Sequence, residues 1–423
     1  MKSAWWWALE RQLQKLWVVQ ILYAALAVAT VLGTPLITPV LPPGLLGRID
    51  DGAVDATLTI LASSMLSVTT FSLGIMLTAF SGASSSVTPR ATDLLQQDRT
   101  TQRVLSTFLG AFIFSFLALI ALRAGFFGEN DKGLLFLVTL VVAALVVVSM
   151  LRWIAHLTRF GRRGDTHEKL EAATLAALAE RVEQPYLGGH PHNGPPPADG
   201  VAIAPASIGY VAHVDMGALQ AAAAAAGADG AQVYLAALPG AFAHPGAPLC
   251  WCVGKADADR LRAAFTIAPT RTFDQDPRFG LSVLSEVAER ALSPAINDPG
   301  TAIDILGRMV RVLAVWQDRK GGELRYPALW VPPLDLSDML EDAFAPIARD
   351  GAGIVAVQLR LQKSLLALVQ IDAALFGPAA LRQSQQALER SAGALLPFEQ
   401  DRVRGVAEAI AALTGPSRGQ PGI

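Results

Sequence analysis

The sequence predicts an integral membrane α-helical protein with four transmembrane helices, joined to a cytoplasmic α+β domain. The composition of the chain predicts the membrane part. The chain is 52% hydrophobic and only 17% charged, whereas an ordinary soluble domain carries about 25% charged residues. The deficit is concentrated before Arg159, and charged residues become frequent after it. A membrane part is therefore expected to precede a soluble part.

Four apolar segments are long enough to cross a bilayer, which takes about 20 residues in a helix. Backbone polar groups in lipid must be satisfied within their own segment, so each segment is expected to be helical. The four segments lie at about 16–38, 57–80, 104–122 and 133–156. With their connections they define a predicted membrane domain over 1–163.

Lysine and arginine residues in the short loops predict the orientation of these segments. Basic residues cluster before the first segment, after the second and after the fourth, while the other connections are mainly acidic. Both termini are therefore expected on the cytoplasmic side of the bacterial inner membrane. The basic residues predicted at the membrane surface are Arg90, Arg99, Arg103, Arg162 and Arg163. Anchoring is the plain interpretation of these arginines; contact with lipid phosphates or a pore mouth is the alternative.

The second segment differs from the others because it is rich in hydroxyl groups. Small and hydroxylated residues let helices approach closely, which favours a helix buried among its partners. Hydroxyl groups can also face water without a charge penalty, which favours the lining of a transport pathway. Both interpretations stay open at this point. The candidate lining residues are Ser63, Ser64, Ser67, Thr70, Phe71 and Thr78.

Beyond the membrane domain, a helix and a Pro/Gly-rich linker are predicted over 164–199. A small β-rich module is predicted over 200–255, because 201–203, 208–214 and 231–237 have the residue pattern of strands. Tight Pro/Gly turns within it favour a barrel-sandwich-like module. The turn region lacks the lysine that a biotin or lipoyl carrier needs, so a packing or docking module is preferred.

Two short pairs of residues could in principle bind a metal. His190 and His192 stand in the linker, and Cys250 and Cys252 stand in the β-rich module. Nothing nearby completes a ligand set for the histidines, so a solvated linker is their plainer interpretation. Small strand residues are the plainer interpretation of the cysteines, with a metal or redox site as the alternative. We predict no metal and no cofactor. The net charge of −2 also differs from the basic footprint of a nucleic-acid-binding protein.

A helical cytoplasmic domain is predicted over 256–413, and a disordered tail over 414–423. It contains one polar block with paired carboxylates and arginines, which could bind an ion or perform acid–base chemistry. Asp276 and Asp298 each precede a proline, however, as the first residues of helices often do. An architectural network, a ligand or ion site, and catalysis are the three interpretations of this block. Its candidate residues are Arg271, Asp274, Asp276, Arg278, Asn297 and Asp298.

Catalytic sequence motifs do not support an enzyme. The chain contains no G-x-S-x-G, no P-loop and no H-E-x-x-H motif. No catalytic residue is therefore predicted.

Several sequence blocks together resemble a bacterial family of predicted membrane proteins, domain of unknown function 2254. The blocks are SMLSVTTFSLGIMLTAFSGASSSVTPR with FLGAFIFSF, then SIGYVAHVD, AFTIAPTRTFDQDPRFG and RALSPAINDPGTA. The resemblance covers nearly the whole chain. It implies a membrane protein of this architecture and transfers no activity and no catalytic residue.

The leading functional hypothesis is a non-enzymatic membrane protein that forms or regulates a transport or ion pathway as a homo-oligomer. Its ligand would be an unknown small molecule or ion. A membrane-anchored cytoplasmic sensor or scaffold is the alternative. A membrane-bound enzyme that uses the 271–298 block is the third hypothesis.

Overall fold

The computed structural model describes residues 21, 24–25, 28–34, 51–86, 88–91, 99–128, 131–157, 163–225, 230–319 and 321–414. The chain divides into two compact units, one within 7–166 and one over 167–423. Most of the first predicted segment, 16–38, lies outside the described residues, although 28–34 are helical. The predicted tail lies outside them from residue 415 onward.

The first unit is helical, as its apolar segments predict. Among the described residues, three helices of this unit are long and apolar enough to cross a membrane, over Gly52–Thr78, Thr100–Arg123 and Asp131–His156. The helices that contain these spans are α1 (Asp51–Ser86), α2 (Arg99–Arg123) and α3 (Asp131–Leu157). The chain is thus a mostly helical protein with membrane-spanning candidates and a separate region that contains sheets.

Helix α2 packs against both α1 and α3. Leu58, Phe114 and Leu135 belong to one buried cluster of this unit, and Phe108 and Trp153 belong to another. Large apolar side chains from three helices therefore interlock within the described part of the unit.

An ion pair joins the first turns of α1 to the last residue of α2. Arg123 donates from Nε and Nη2 to the two carboxylate oxygens of Asp55 at 2.8 and 3.0 Å. Such a fork fixes direction as well as distance, so it sets how these two helix ends meet.

The second unit contains longer helices and short strands. Its helices are α4 (Arg163–Glu183, which begins just before the unit), α5 (Met216–Ala224), α6 (Ala258–Ala263), α7 (Pro277–Leu292), α8 (Pro299–Ala314), α9 (Leu336–Asp350), α10 (Val355–Ile371), α11 (Ala373–Ser391) and α12 (Pro397–Thr414). Its strands are β1 (His190–Pro191), β2 (Val201–Ile203), β3 (Gly209–Val214), β4 (Gln232–Leu235), β5 (Phe242–Ala243), β6 (Cys250–Val253), β7 (Phe265–Ala268) and β8 (Leu329–Val331).

The strands form two sheets. The first has five strands in the order β1-β8-β4-β6-β2, and the second has three in the order β5-β3-β7. In the first sheet β8 runs parallel to both β1 and β4. Leu219 of α5 packs with Val233 and Leu329 in the core beside this sheet. The sheet-containing region is as expected, but the barrel-sandwich arrangement is not confirmed.

Three strands lie where the sequence predicts none. The region predicted as a helix and a Pro/Gly-rich linker, 164–199, contains β1, and β7 and β8 lie within the region predicted as helical. A proline is compatible with β1 because β1 is an edge strand of its sheet. These three strands are only two to four residues long, and they pair with distant parts of the chain. Local periodicity does not reveal such pairing.

Helix α10 is the centre of the helical part and packs against α8, α11 and α12. The chain leaves α10 at Asp372, whose side chain accepts from Leu375 N at 2.9 Å and caps α11. Pro378 lies inside α11, beyond the aspartate cap that begins this helix.

Candidate functional site

The predicted lining residues of α1 lie mainly on one exposed face of the helix. Ser63, Ser67, Thr70 and Thr78 are all exposed. Gly74 falls between them, and no atom lies within 4 Å of the point where a Cβ at that position would stand. At about 100° per residue these five positions fall within roughly 80° of the helix circumference. We call these five residues the hydroxyl face.

The opposite side of α1 is the one that packs within the protomer. Leu58 and Met65 are buried there, together with Thr69. Ser64 is half-buried at the flank of the hydroxyl face, whereas Phe71 is 71% exposed. Among the described helices, the hydroxyls at 63, 67, 70 and 78 are therefore not buried against a neighbour, whereas that of Thr69 is.

Each hydroxyl of this face donates its proton to the backbone of its own helix. Ser63, Ser67 and Thr78 donate to the carbonyl four residues earlier at 2.9, 3.1 and 3.0 Å, and Thr70 does so at 2.5 Å. A hydroxyl oxygen that has given its proton away still has lone pairs to accept with. The hydroxyl face therefore presents a row of hydrogen-bond acceptors without any formal charge.

The predicted membrane-surface arginines are only partly described. Arg90 and Arg103 are exposed. Arg99 and Arg163 lie within α2 and α4, but their side chains are outside the described part, as is the whole of Arg162. Contact with lipid or a pore mouth remains a prediction for all five.

The polar block is divided among separate places in the second unit. Asp276 is buried and caps α7, accepting from Phe279 N at 3.1 Å. Arg271 donates to the same carboxylate from Nε and Nη2 at 2.7 and 3.0 Å. Burial raises the pKa of Asp276, although the Arg271 hydrogen bonds act in the opposite direction. Arg271 and Asp276 are thus two candidate residues of the block that form hydrogen bonds with each other.

The other members of the block have different partners. Arg278 reaches α9, where it donates to Asp342 at 2.7 Å and to Asp338 at 2.5 Å. Asp298 caps α8 by accepting from Thr301 N at 3.2 Å. Asn297, with φ of 49°, is in the left-handed region that Asn tolerates, and Asp274 is exposed. Carboxylates that contact the block or belong to it are thus engaged by arginines and by helix starts.

A family profile for predicted membrane proteins, DUF2254, matches residues 14–367. The chain belongs to that family. The match extends across both compact units and includes the hydroxyl face and the polar block. The resemblance drawn from the sequence blocks is thus confirmed.

Relatives of this family member are found in mycobacteria. Uncharacterized protein Mb1321c of Mycobacterium bovis and uncharacterized protein Rv1290c of Mycobacterium tuberculosis are each 27% identical over 343 residues, which is 75% of this chain and 62% of the relative. The chain thus spans less than two thirds of the length of these relatives. No solved structure matches this DUF2254 chain significantly.

The sequence interpretation missed a buried arginine in this DUF2254 member. Arg181 is 2% exposed and lies on the same side of α4 as Leu170, Thr174 and Leu178, which are all completely buried. In the described part of the chain, Nη1 and Nη2 of Arg181 have no hydrogen-bond partner. The detectable signal is the spacing 170, 174, 178, 181, which continues an apolar helix face into an arginine.

A second missed feature is an ion-pair cluster between α4 and α8. Glu171 is 7% exposed and accepts from Arg308 Nη1 at 2.6 Å and from Arg311 Nε and Nη2 at 2.6 and 2.9 Å. Hydrogen bonds from Arg311, together with the charges of both arginines, lower the pKa of Glu171. The partners are too far apart in sequence for any local pattern to reveal the pairing.

The two cysteines lie on one face of the five-stranded sheet, and the histidines of the predicted linker lie on the other. Cys250 and Cys252 are buried in its core, where burial raises the pKa of Cys250 to about 12. His190 instead stacks on Trp330 at 4.5 Å, and Trp330 stacks on Tyr234 at 5.5 Å. Among the described residues no cluster of three or more His, Cys, Asp or Glu side chains could hold a metal ion.

Proposed function

We propose that this protein forms, or regulates, a transport pathway in the inner membrane as a homo-oligomer, with the hydroxyl face of α1 as its lining. The observation that carries the proposal is the position of that face. Its four hydroxyl groups point away from the buried side of α1, so one protomer does not enclose them with its described helices. A second copy could, and the two faces would then enclose a polar seam.

The membrane topology of the proposal includes a fourth span. Residues 16–38 are apolar and uncharged, and the described positions 28–34 are helical. With four spans both termini lie on one side, and the distribution of basic residues favours the cytoplasm for that side. The second unit would then be the cytoplasmic part that assembles or gates the pathway.

The chemistry of the hydroxyl face favours water or small cations over anions. Its hydroxyl protons are already donated to backbone carbonyls, so the groups left for a passing species are lone pairs. Acceptor oxygens can replace part of a cation's hydration shell, as carbonyl oxygens do in selective filters. An anion would find no free donor on this face.

Flux through liposomes tests the proposal. The purified full-length protein is reconstituted, and potassium and chloride efflux are measured separately under an imposed voltage. We expect potassium efflux to exceed chloride efflux and to fall at least tenfold in the double variant Ser64→Leu/Ser67→Leu. Ile60→Leu, which changes an exposed apolar side chain of the same helix, is the matched control and should retain the flux.

The alternative is a membrane-anchored sensor or scaffold, and the aromatic row of the five-stranded sheet favours it. His190, Trp330, Tyr234 and Trp251 occupy adjacent register positions across four strands, and all are half-buried on the side away from the cysteines. Such a row is suited to holding a partner or ligand. Absence of flux under every gradient, with a functional phenotype that survives the serine replacements, would favour this second function.

A further inference from the structure

Arg181 is a buried arginine whose terminal nitrogens have no hydrogen-bond partner among the described residues. Its side chain is 2% exposed, and in the described ranges neither terminal nitrogen of its guanidinium meets an acceptor. Burial lowers the pKa of Arg181 to about 10, so the group is still protonated at neutral pH. A buried charged group whose donors are unsatisfied is among the most unfavourable features that a folded protein can contain.

The acidic groups whose charges reach Arg181 are Glu180, Asp276 and the Tyr186 phenol. Glu180 precedes it on α4, so its side chain leaves the helix about 100° away, and it is half-buried rather than buried. The phenol of Tyr186 is neutral at neutral pH. Asp276 is therefore the one buried anion among these three groups.

Asp276 is held in place by other contacts. Both of its oxygens accept from Arg271, and one also accepts from Phe279 N. The backbone of Gly240 closes another side, because a Cβ at that position would lie 2.2 Å from Asp276 Oδ2. Three donors hold the Asp276 carboxylate and the Gly240 backbone lies against it, so this carboxylate cannot turn toward Arg181.

The neighbouring ionic groups have partners of their own: Arg271 pairs with Asp276, and Arg278 pairs with Asp338 and Asp342. The terminal nitrogens of Arg181 are left with unused donors in a planar fork. That fork matches two oxygens of a phosphate or carboxylate group, to which arginine binds in a bidentate manner.

We propose that Arg181 is the centre of a buried binding site for a small oxyanion, a phosphate or a carboxylate, beside the Arg271–Asp276 pair. The site is distinct from the hydroxyl face of α1 and does not depend on transport. A bulky anion tethered to a lipid surface does not suit a side chain that is 2% exposed, so the ligand is small and soluble.

Thermal unfolding of the detergent-purified full-length protein tests this inference, with inorganic phosphate and acetate as probes. Sodium chloride at matched ionic strength serves as the control for general salt effects. One of the two oxyanions should raise the Tm by about 5 °C at a concentration a hundredfold above its Kd, since a ligand that binds only the folded state stabilises it. Isothermal titration should give one site per chain.

Three variants separate the site from general stability. In oxyanion-free buffer Arg181→Met should unfold at or above the wild-type Tm, because it removes a buried charged group with unsatisfied donors, and it should lose the response to the probe. Arg181→Lys should keep a weaker response, since it retains the charge but not the fork. Arg404→Met, which alters an exposed arginine paired with Asp401 at 3.0 Å, should respond as the wild type does.

Two results would overturn the inference. One is a wild-type Tm that phosphate and acetate leave unchanged relative to chloride. The other is a response that persists in Arg181→Met, which would place the anion elsewhere. Flux measurements do not enter either comparison, so failure here is separable from failure of the proposed transport function.

Discussion

Replacement of Gly280 by alanine tests the packing of α4 against α7. Gly280 is buried in α7, and a Cβ at that position would lie 2.3 Å from Thr174 Oγ1 and 2.6 Å from Thr174 Cγ2 on α4. Thr174 is completely buried, and its hydroxyl donates to Leu170 O at 2.7 Å. The threonine therefore cannot rotate away without losing that bond, and one of the two helices must shift by roughly 1 Å to restore an ordinary contact distance.

Two opposing effects set the magnitude. Alanine favours a helix over glycine by about 1 kcal/mol, whereas overpacking a tight core costs about 1–3 kcal/mol. A clash with a buried threonine on a helix with little room to move belongs at the upper end of that range. We expect Gly280→Ala to lower the free energy of unfolding by about 1–2 kcal/mol.

Gly405→Ala is the matched control. Gly405 lies in α12, and nothing is within 4 Å of its would-be Cβ, so the helix preference acts alone and should stabilise by about 0.5–1 kcal/mol. Chemical denaturation of the full-length protein in detergent, followed by circular dichroism, compares the two variants. Thr174→Ala in the Gly280→Ala background should recover part of the loss. Equal shifts of the same sign in both glycine variants would refute the reasoning.

Two further changes have expected outcomes. Glu171→Gln should lower the free energy of unfolding by roughly 2 kcal/mol in the same denaturation assay. This is less than the ~3–5 kcal/mol of a fully buried pair, because the Arg311 side chain is 57% exposed. Glu323→Gln, which removes one partner of an exposed ion pair, is the control and should change stability by under about 0.5 kcal/mol. Because the pKa of Glu171 is lowered on folding, its contribution to stability is complete above pH ~4.5 and is lost as the pH falls through the folded pKa. Stability should therefore fall less steeply at acidic pH in Glu171→Gln than in the wild type. An equally steep fall in both proteins would contradict the pairing. Cys250 and Cys252 should resist alkylation at pH 8 until denaturant is added, because both are buried and burial raises the thiol pKa of each; rapid modification of the native protein, followed by mass spectrometry, would contradict their placement.

Features encoded in consecutive residues were predictable from the sequence. Uninterrupted apolar segments predict the helices of the first unit because lipid leaves a backbone few other options. The Asp-Pro steps at 276–277 and 298–299 predict the starts of α7 and α8, and both aspartates cap those helices. Such features need no knowledge of the rest of the chain.

Features that depend on distant partners were not predictable. The pairing of Glu171 with Arg308 and Arg311 joins residues more than a hundred positions apart, and the short strand β1 exists only because β8 lies beside it. The hydroxyl-rich composition of α1 was evident, but periodicity alone does not say which side of a helix its neighbours cover. The structure supplies that side for the described helices, and the proposal for transport depends on it.

Cysteine accessibility along α1, measured in membranes, is the most direct test of the central claim that the hydroxyl face lines an aqueous pathway. Both native cysteines are replaced first, and single cysteines are then introduced at Ser67, Thr70 and the buried Met65. A charged, membrane-impermeant thiol reagent should modify the cysteines at 67 and 70 and leave the one at 65 unmodified. Modification of 67 and 70 by lipid-soluble reagents alone would place this face against lipid and would contradict the account.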